Sequence, residues 1–113
     1  NDNAEIVEMI ASGVHVILFT TGRGSVVGSA ISPVIKICAN PETYERLSDD
    51  MDINAGKIVN GDAPLDVVGN EIVDQVIAVA NGEQSCSEAL GHQEFILTYK
   101  KFEPIGPSCL PGF

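Results

Sequence analysis

The fold is decided by residues 14–25, which read VHVILFTTGRGS. The first six residues form a nearly continuous apolar run rich in branched side chains, which is typical of a strand covered on both faces of a parallel sheet. The last six form a polar, glycine-rich turn. Because ligands of such sheets meet the loops that leave the carboxyl ends of strands, this turn is predicted to be reachable by a ligand.

Helical and strand patterns alternate on both sides of this stretch. Apolar residues at helical spacing predict a helix that ends at Gly13, and an apolar run after a proline predicts a second strand over residues 34–38. Asn40 followed by Pro41 has the order of an N-cap and a first helical position, so a short helix is expected there.

The second half of the chain carries four further predicted segments. They are a turn at residues 54–56 in which Asn54 and Gly56 can both take positive φ, an extended or turn-like connector at residues 57–61, a long helix from Pro64 to Ala80 capped by Asp62 or Ala63, and a third strand at residues 94–99.

This alternation of elements predicts the class of fold. We expect a small three-layer α/β/α domain with a mainly parallel sheet, Rossmann-like or flavodoxin-like, over residues 1–101. Residues 102–113 are proline-rich and are predicted to form an irregular C-terminal tail. Because the first residue is Asn1 and a helical pattern follows at once, the chain is expected to be a fragment of a larger protein.

Composition excludes several classes of function. The chain has 113 residues with 16 acidic and 6 basic side chains and a net charge of −10, which argues against nucleic acid or an anionic membrane surface as a partner. Neither a membrane span nor a signal peptide is predicted, so a cytoplasmic location is expected. Three widely spaced cysteines indicate reduced thiols rather than a disulfide framework or a closed zinc site.

The turn at residues 20–25 is the most informative candidate site. Its members are Thr20, Thr21, Gly22, Arg23, Gly24 and Ser25. Two glycines let the backbone approach a ligand, the hydroxyl groups add donors, and Arg23 is suited to bidentate binding of a carboxylate. A tight turn whose arginine pairs with a local acid is an equal alternative. Phosphate binding is less favoured, because the spacing fits neither known glycine-rich phosphate motif.

Four other polar residues are accessory candidates. Asn40 follows the second strand, Asp52 and Asn54 belong to an acidic loop with hard oxygen ligands, and His92 is an acid/base candidate beside the predicted third strand. A solvated loop and a solvent-facing turn histidine explain these residues equally well. The spacing gives no metal site within the chain, and no catalytic residue is assigned.

Five pieces of sequence have the order and spacing of one known family. They are FTTGRG at residues 19–24, Gly28, PVIK at residues 33–36, Asn40, and DINAG at residues 52–56. On these pieces the chain resembles the C-terminal domain of the altronate dehydratase and galactarate dehydratase family, which also includes the large subunit of sulfolactate sulfo-lyase.

The resemblance implies a function as well as a family. It implies a lyase that dehydrates a sugar acid with a divalent metal, commonly Fe²⁺, and in which Thr20 to Gly24 line the substrate pocket and Arg23 grips a carboxylate. It also implies a central and a small N-terminal domain, on the same chain or a separate small subunit, without which no turnover is expected. Two alternatives stay open: a sulfolactate sulfo-lyase, and a non-catalytic anion-binding or assembly module. Homo-oligomerisation is left open.

Overall fold

The computed structural model of the protein describes residues 2–96. Within this range the chain forms five helices and three strands. In order they are α1 (Asp2–Ala11), β1 (Ile17–Thr21), β2 (Val34–Cys38), α2 (Pro41–Arg46), β3 (Ile53–Asn54), α3 (Gly56–Val59), α4 (Leu65–Ala80) and α5 (Cys86–Ala89).

The strands form one parallel sheet in the order β1-β2-β3. The β1 to β2 register runs from Ile17 opposite Val34 to Thr21 opposite Cys38, and Ile37 lies opposite Ile53. All five residues of β2 are buried, as expected for the central strand of a sheet covered on both faces. The predicted α/β class and the parallel sheet are therefore confirmed.

Two apolar clusters cover the two faces of this sheet. Successive strand residues point to opposite faces, so Val34 and Ile35 of β2 belong to different clusters. Ile35 packs with Val68 and Val79 of α4, whereas Val34 packs with Ile6 of α1. A helix on each face gives the small α/β domain three layers.

The long helix α4 is confirmed, but its predicted cap is wrong. The backbone N–H groups of Asp62 and Ala63 donate to the Lys57 carbonyl oxygen at 2.9 and 3.3 Å, so both residues belong to the end of the preceding turn. Pro64 occupies the N-cap position and makes no side-chain cap. At the other end Gly82 has φ +107°, which supports the predicted stop after Ala80.

Within residues 2–96, the third strand of the sheet is a segment that the sequence pattern did not predict. Residues 94–96 form no strand, and residues 97–99 lie outside the described residues, as do residues 102–113. The observed third strand is β3, which has only two residues. A strand this short carries no readable alternation. It is defined by its register with β2.

The turn at residues 54–56 also differs from the prediction. Neither Asn54 nor Gly56 has positive φ. Gly56 begins α3, in place of the predicted connector, and a Cβ at this position would lie 2.6 Å from Pro41 Cδ and 2.8 Å from Pro41 Cα. The glycine is needed for close approach to the start of α2.

Helix α5 was not anticipated by the apolar pattern. It is a single turn with a capping box, in which the Ser85 hydroxyl accepts from the Glu88 N–H and the Glu88 carboxylate accepts from the Ser85 N–H. Within residues 2–96 no helix is long and apolar enough to cross a bilayer.

Candidate functional site

The three strands end side by side, and the loops that follow them meet at one edge of the sheet. The Ala39 N–H donates to the Thr21 carbonyl oxygen at 2.9 Å, and the Ala55 N–H donates to the Cys38 carbonyl oxygen at 2.8 Å. These bonds bring the turn after β1, Asn40 after β2 and Asn54 at the end of β3 to the same edge. The carboxyl edge of a parallel sheet is where ligands bind in this class of fold.

The turn after β1 is held in shape by its own residues. The Gly24 N–H donates to Thr21 Oγ1 at 3.0 Å, and the Val27 N–H donates to Ser25 Oγ at 3.2 Å. Gly24 has φ +91°, and a Cβ there would collide with Cδ1 of Leu47. The hydroxyl groups of Thr21 and Ser25 therefore shape the turn, and the glycine permits its close packing.

Unoccupied hydrogen-bond donors remain at the tip of this turn. The Arg23 side chain is exposed, and within residues 2–96 it makes neither an ion pair nor a hydrogen bond. In the same part of the chain, no acceptor meets the backbone N–H groups of Gly22, Arg23, Ser25 and Val26. A guanidinium beside several free N–H groups is a suitable environment for an anion. The alternative in which Arg23 pairs with a local acid is not seen among these residues.

Asn40 and Asn54 lie at the carboxyl edge, where their side-chain oxygens serve the backbone. Asn40 Oδ1 accepts from the N–H groups of Glu42 and Thr43 at 3.0 and 3.4 Å and caps α2. Asn54 Oδ1 accepts from the Gly56 N–H at 3.0 Å. These two bonds fix the loops that surround the turn at residues 20–25.

A fully buried lysine lies behind the turn. Lys36 is at the centre of β2, and its Nζ donates to the Ser25 carbonyl oxygen at 3.0 Å. Burial lowers the pKa of Lys36, and the negative charges of Asp50 and Asp52 oppose this effect. From the sequence, Lys36 was noted only as a member of the PVIK segment of the family motif. A lysine inside the otherwise apolar VIKIC strand was the signal that could have found it, because charged residues are rarely buried without a reason.

Asp52 connects the central strand to α5. Its Oδ2 accepts from the Lys36 N–H and its Oδ1 from the Cys86 N–H, both at 2.8 Å. Because both of its carboxylate oxygens accept a hydrogen bond, Asp52 links β2 to the start of α5. Burial, followed by the charge of Asp52, raises the pKa of the Cys86 thiol to about 11. Among residues 2–96, Cys38 and Cys86 form no disulfide.

His92 and Glu94 hold the next part of the loop. His92 Nδ1 lies 2.6 Å from the Val26 carbonyl oxygen and 3.9 Å from Asp50 Oδ1. Since a carbonyl oxygen only accepts, Nδ1 carries the donated proton. Glu94 Oε2 accepts from the Gly28 N–H at 3.0 Å. Asp52 and His92 thus contact the backbone of Lys36 and Val26, and neither is placed at the exposed tip of the turn that carries Arg23.

The described residues do not fit a metal site. Over residues 2–96, no group of three or more His, Cys, Asp or Glu side chains is arranged to hold a metal ion. The acidic residues 49–52 do not converge in this way: Asp52 is engaged by two backbone N–H groups, and Asp50 faces His92.

An α/β domain whose exposed turn at the carboxyl edge of the sheet carries unpaired hydrogen-bond donors, within residues 2–96, is the class that these features define. The family described as D-galactarate/altronate dehydratase, C-terminal, matches residues 1–102, and the chain belongs to this family.

Individual relatives agree with this assignment. The chain is 38% identical over 96 residues to the (2R)-sulfolactate sulfo-lyase subunit beta of Chromohalobacter salexigens. The match covers 84% of this chain and 25% of the relative. It is 31% identical over 97 residues to the altronate dehydratase of Escherichia coli, covering 86% of this chain and 19% of the relative. It is 40% identical over 77 residues to the Escherichia coli galactarate dehydratase (L-threo-forming), and the match covers 68% of this chain and 15% of the relative. The chain therefore spans a quarter or less of the length of these curated relatives.

Proposed function

We propose that the chain acts as the C-terminal domain of a lyase that dehydrates a sugar acid such as altronate or galactarate, and that its turn at residues 20–25 binds the substrate carboxylate. The observation that carries this proposal is the exposed Arg23 guanidinium among free backbone N–H groups at the carboxyl edge of the sheet. Membership of a dehydratase family supports the choice of reaction.

The proposed chemistry removes the proton α to the carboxylate and expels the β-hydroxyl group as water. Negative charge develops on the carboxylate oxygens when the α proton is removed and an enediolate forms, before the β-hydroxyl group leaves. Arg23, with donors of the Gly22 to Val26 backbone, would hold these oxygens and stabilise the added charge, which is the usual role of preorganised donors in such reactions. The base that removes the proton is not assigned to this chain.

The accessory candidates receive supporting roles in this proposal. Asn40 and Asn54 would shape the rim of the substrate pocket, since their side chains fix the loops at the carboxyl edge. Asp52 and His92 would stabilise the layer below the turn. Their hydrogen bonds to the backbone of Lys36, Cys86 and Val26 support this role.

The rest of the enzyme would supply what this chain lacks. The lyase is expected to use Fe²⁺, and we place the metal ligands outside residues 2–96, because the described residues do not fit such a site. We place the remaining catalytic groups in a central and a small N-terminal domain, or in a separate subunit. A location in the cytoplasm belongs to the same proposal.

A sulfolactate sulfo-lyase is the second candidate. The 38% identity to a sulfo-lyase subunit over 84% of this chain favours it. Its reaction would expel sulfite instead of water from a hydroxy acid, and the carboxylate would still be bound by Arg23. Incubating the assembled enzyme with sulfolactate, altronate and galactarate, and measuring sulfite and the dehydrated acids, distinguishes the two reactions.

The carboxylate-binding role is tested by Arg23→Ala in the assembled enzyme. A charge-assisted hydrogen-bonded contact is worth roughly 1.5–3 kcal/mol, so kcat/KM is expected to fall by about 10-fold to 150-fold. Arg46→Ala is the matched control, because Arg46 is also exposed but lies in the last turn of α2. Arg23→Lys keeps the charge without the bidentate geometry and should give an intermediate loss.

Unchanged kcat/KM in Arg23→Ala would refute the carboxylate-binding role. If the assembled protein turns over none of the three acids but still binds them through Arg23, the chain is instead a non-catalytic anion-binding module.

A further inference from the structure

The connection between β1 and β2 is irregular, yet four successive residues of it are fixed. Residues 22–33 form no helix or strand. The carbonyl oxygens of Ser25 and Val26 accept from Lys36 and His92, Val27 is buried in the core, and the Gly28 N–H donates to Glu94. The exposed tip at Gly22 and Arg23 therefore continues directly into an anchored segment.

Lys36 is the unusual anchor among these four. A neutral donor would satisfy the Ser25 carbonyl oxygen, whereas burying a charged ammonium is costly. Asp50, Asp52 and Glu94 offset the charge from a distance, since within residues 2–96 no carboxylate oxygen lies within 4.0 Å of Nζ. Burial lowers the pKa of Lys36, which reflects the same cost. A fully buried lysine whose Nζ donates directly to the loop backbone points to a role at the neighbouring site.

The contact with Ser25 acts on one peptide group. The peptide between Ser25 and Val26 is trans, so the Val26 N–H points away from the Ser25 carbonyl oxygen and from the ammonium. A strong donor on the carbonyl polarises the peptide and strengthens its N–H as a donor. This N–H has no acceptor among the described residues, and Val26 is exposed.

We propose that Lys36 is a positioning residue of the anion-binding turn, which fixes and polarises the Ser25–Val26 peptide so that the Val26 N–H donates to the same carboxylate as Arg23. This inference rests on the proposed function, because it assumes that the turn binds a carboxylate. Lys36 itself does not touch the ligand.

The test is Lys36→Met in the assembled enzyme, with Lys57→Met as the matched control. Lys57 carries the same side chain but pairs with Glu71 at the surface. In Lys36→Met we expect amide exchange over residues 22–28 to become about tenfold to a hundredfold faster. We expect KM for the acid that the enzyme turns over to rise about tenfold, with a smaller change in kcat, because binding is lost from ground state and transition state alike. Lys57→Met should change neither quantity.

Two results would overturn the inference. One is that Lys36→Met shows the same amide exchange rates over residues 22–28 and the same KM as the parent protein. The other is faster exchange throughout residues 34–38 and 65–80 as well, which would make Lys36 a core residue with no specific effect on the turn. If Lys36→Met does not fold, Lys36→Arg replaces it: slow exchange with a KM close to the parental value supports the inference, and fast exchange over residues 22–28 despite the retained cation contradicts it.

Arg23→Ala separates this inference from the proposed function. If Arg23→Ala leaves kcat/KM unchanged while Lys36→Met still loosens residues 22–28, the carboxylate-binding proposal fails. If Arg23→Ala lowers kcat/KM and Lys36→Met does not raise KM, the proposed function stands and the role of Lys36 is refuted.

Discussion

Gly28→Ala is expected to destabilise the domain, because Gly28 is packed against fixed atoms. A Cβ at this buried position would lie 2.6 Å from the His92 carbonyl oxygen and 2.8 Å from Ser87 Cβ. Relieving this overlap costs about 1–3 kcal/mol. Moving the backbone also weakens the bond from the Gly28 N–H to Glu94, worth roughly 1.5–3 kcal/mol for a charged acceptor. The reduced entropy of the unfolded chain returns about 0.4–1 kcal/mol, so the net loss is roughly 2–5 kcal/mol.

Gly22→Ala is the matched control in the same connection. Gly22 has no positive φ, and a Cβ there meets nothing within 4 Å. Its substitution should leave the free energy of unfolding unchanged or raise it by about 0.4–1 kcal/mol. The assay is hydrogen exchange of β1 and β2 under increasing urea in the whole protein, which reports opening of this domain. Equal stability of the two variants would refute the packing argument.

Two further predictions concern Cys86 and the metal. The pKa of about 11 for Cys86 exceeds the ordinary thiol value, so the unfolded state releases its proton first. The stability of the folded domain should therefore fall between about pH 9 and 11. Thermal unfolding of the parent and of Cys86→Ser over this range should show a smaller fall in the variant. An identical pH dependence of the two proteins would contradict the raised pKa of Cys86. Treating the assembled enzyme with EDTA should abolish turnover, and Fe²⁺ should restore it, without changing amide exchange within residues 2–96; altered exchange there would place the metal in this domain.

The parts of the fold that could be predicted are those with a repeating apolar pattern. The strand at residues 34–38 could be predicted because a short, mostly apolar run between two prolines is typical of a strand. Helix α4 could be predicted because its apolar residues recur at helical spacing up to Asn81-Gly82. The missed elements have two to four residues and depend on tertiary contacts. Strand β3 exists through pairing with Ile37 and Cys38. Helix α5 had a readable signal in its Ser85 to Glu88 capping box.

The exposed turn of the candidate site could be predicted from the sequence, but the contacts that anchor residues 25–28 could not. The order of glycines, hydroxyl groups and arginine in the turn is local, so the sequence indicates a possible anion site. The anchors come from far along the chain, because Gly28 meets Glu94 and Val26 meets His92 across 66 positions. No local pattern predicts such contacts. Lys36 carried a readable signal, its position within an apolar strand, but its contact with Ser25 was not predicted.

The central claim is that Arg23 and the backbone around it hold the carboxylate of an organic acid. The most direct measurement is a crystal structure of the assembled enzyme with a bound, non-reacting analogue of altronate or galactarate. We expect a carboxylate oxygen about 2.7–2.9 Å from the Arg23 guanidinium, with a second contact to a backbone N–H of residues 22–26. A carboxylate bound elsewhere, with Arg23 facing solvent, would contradict the account.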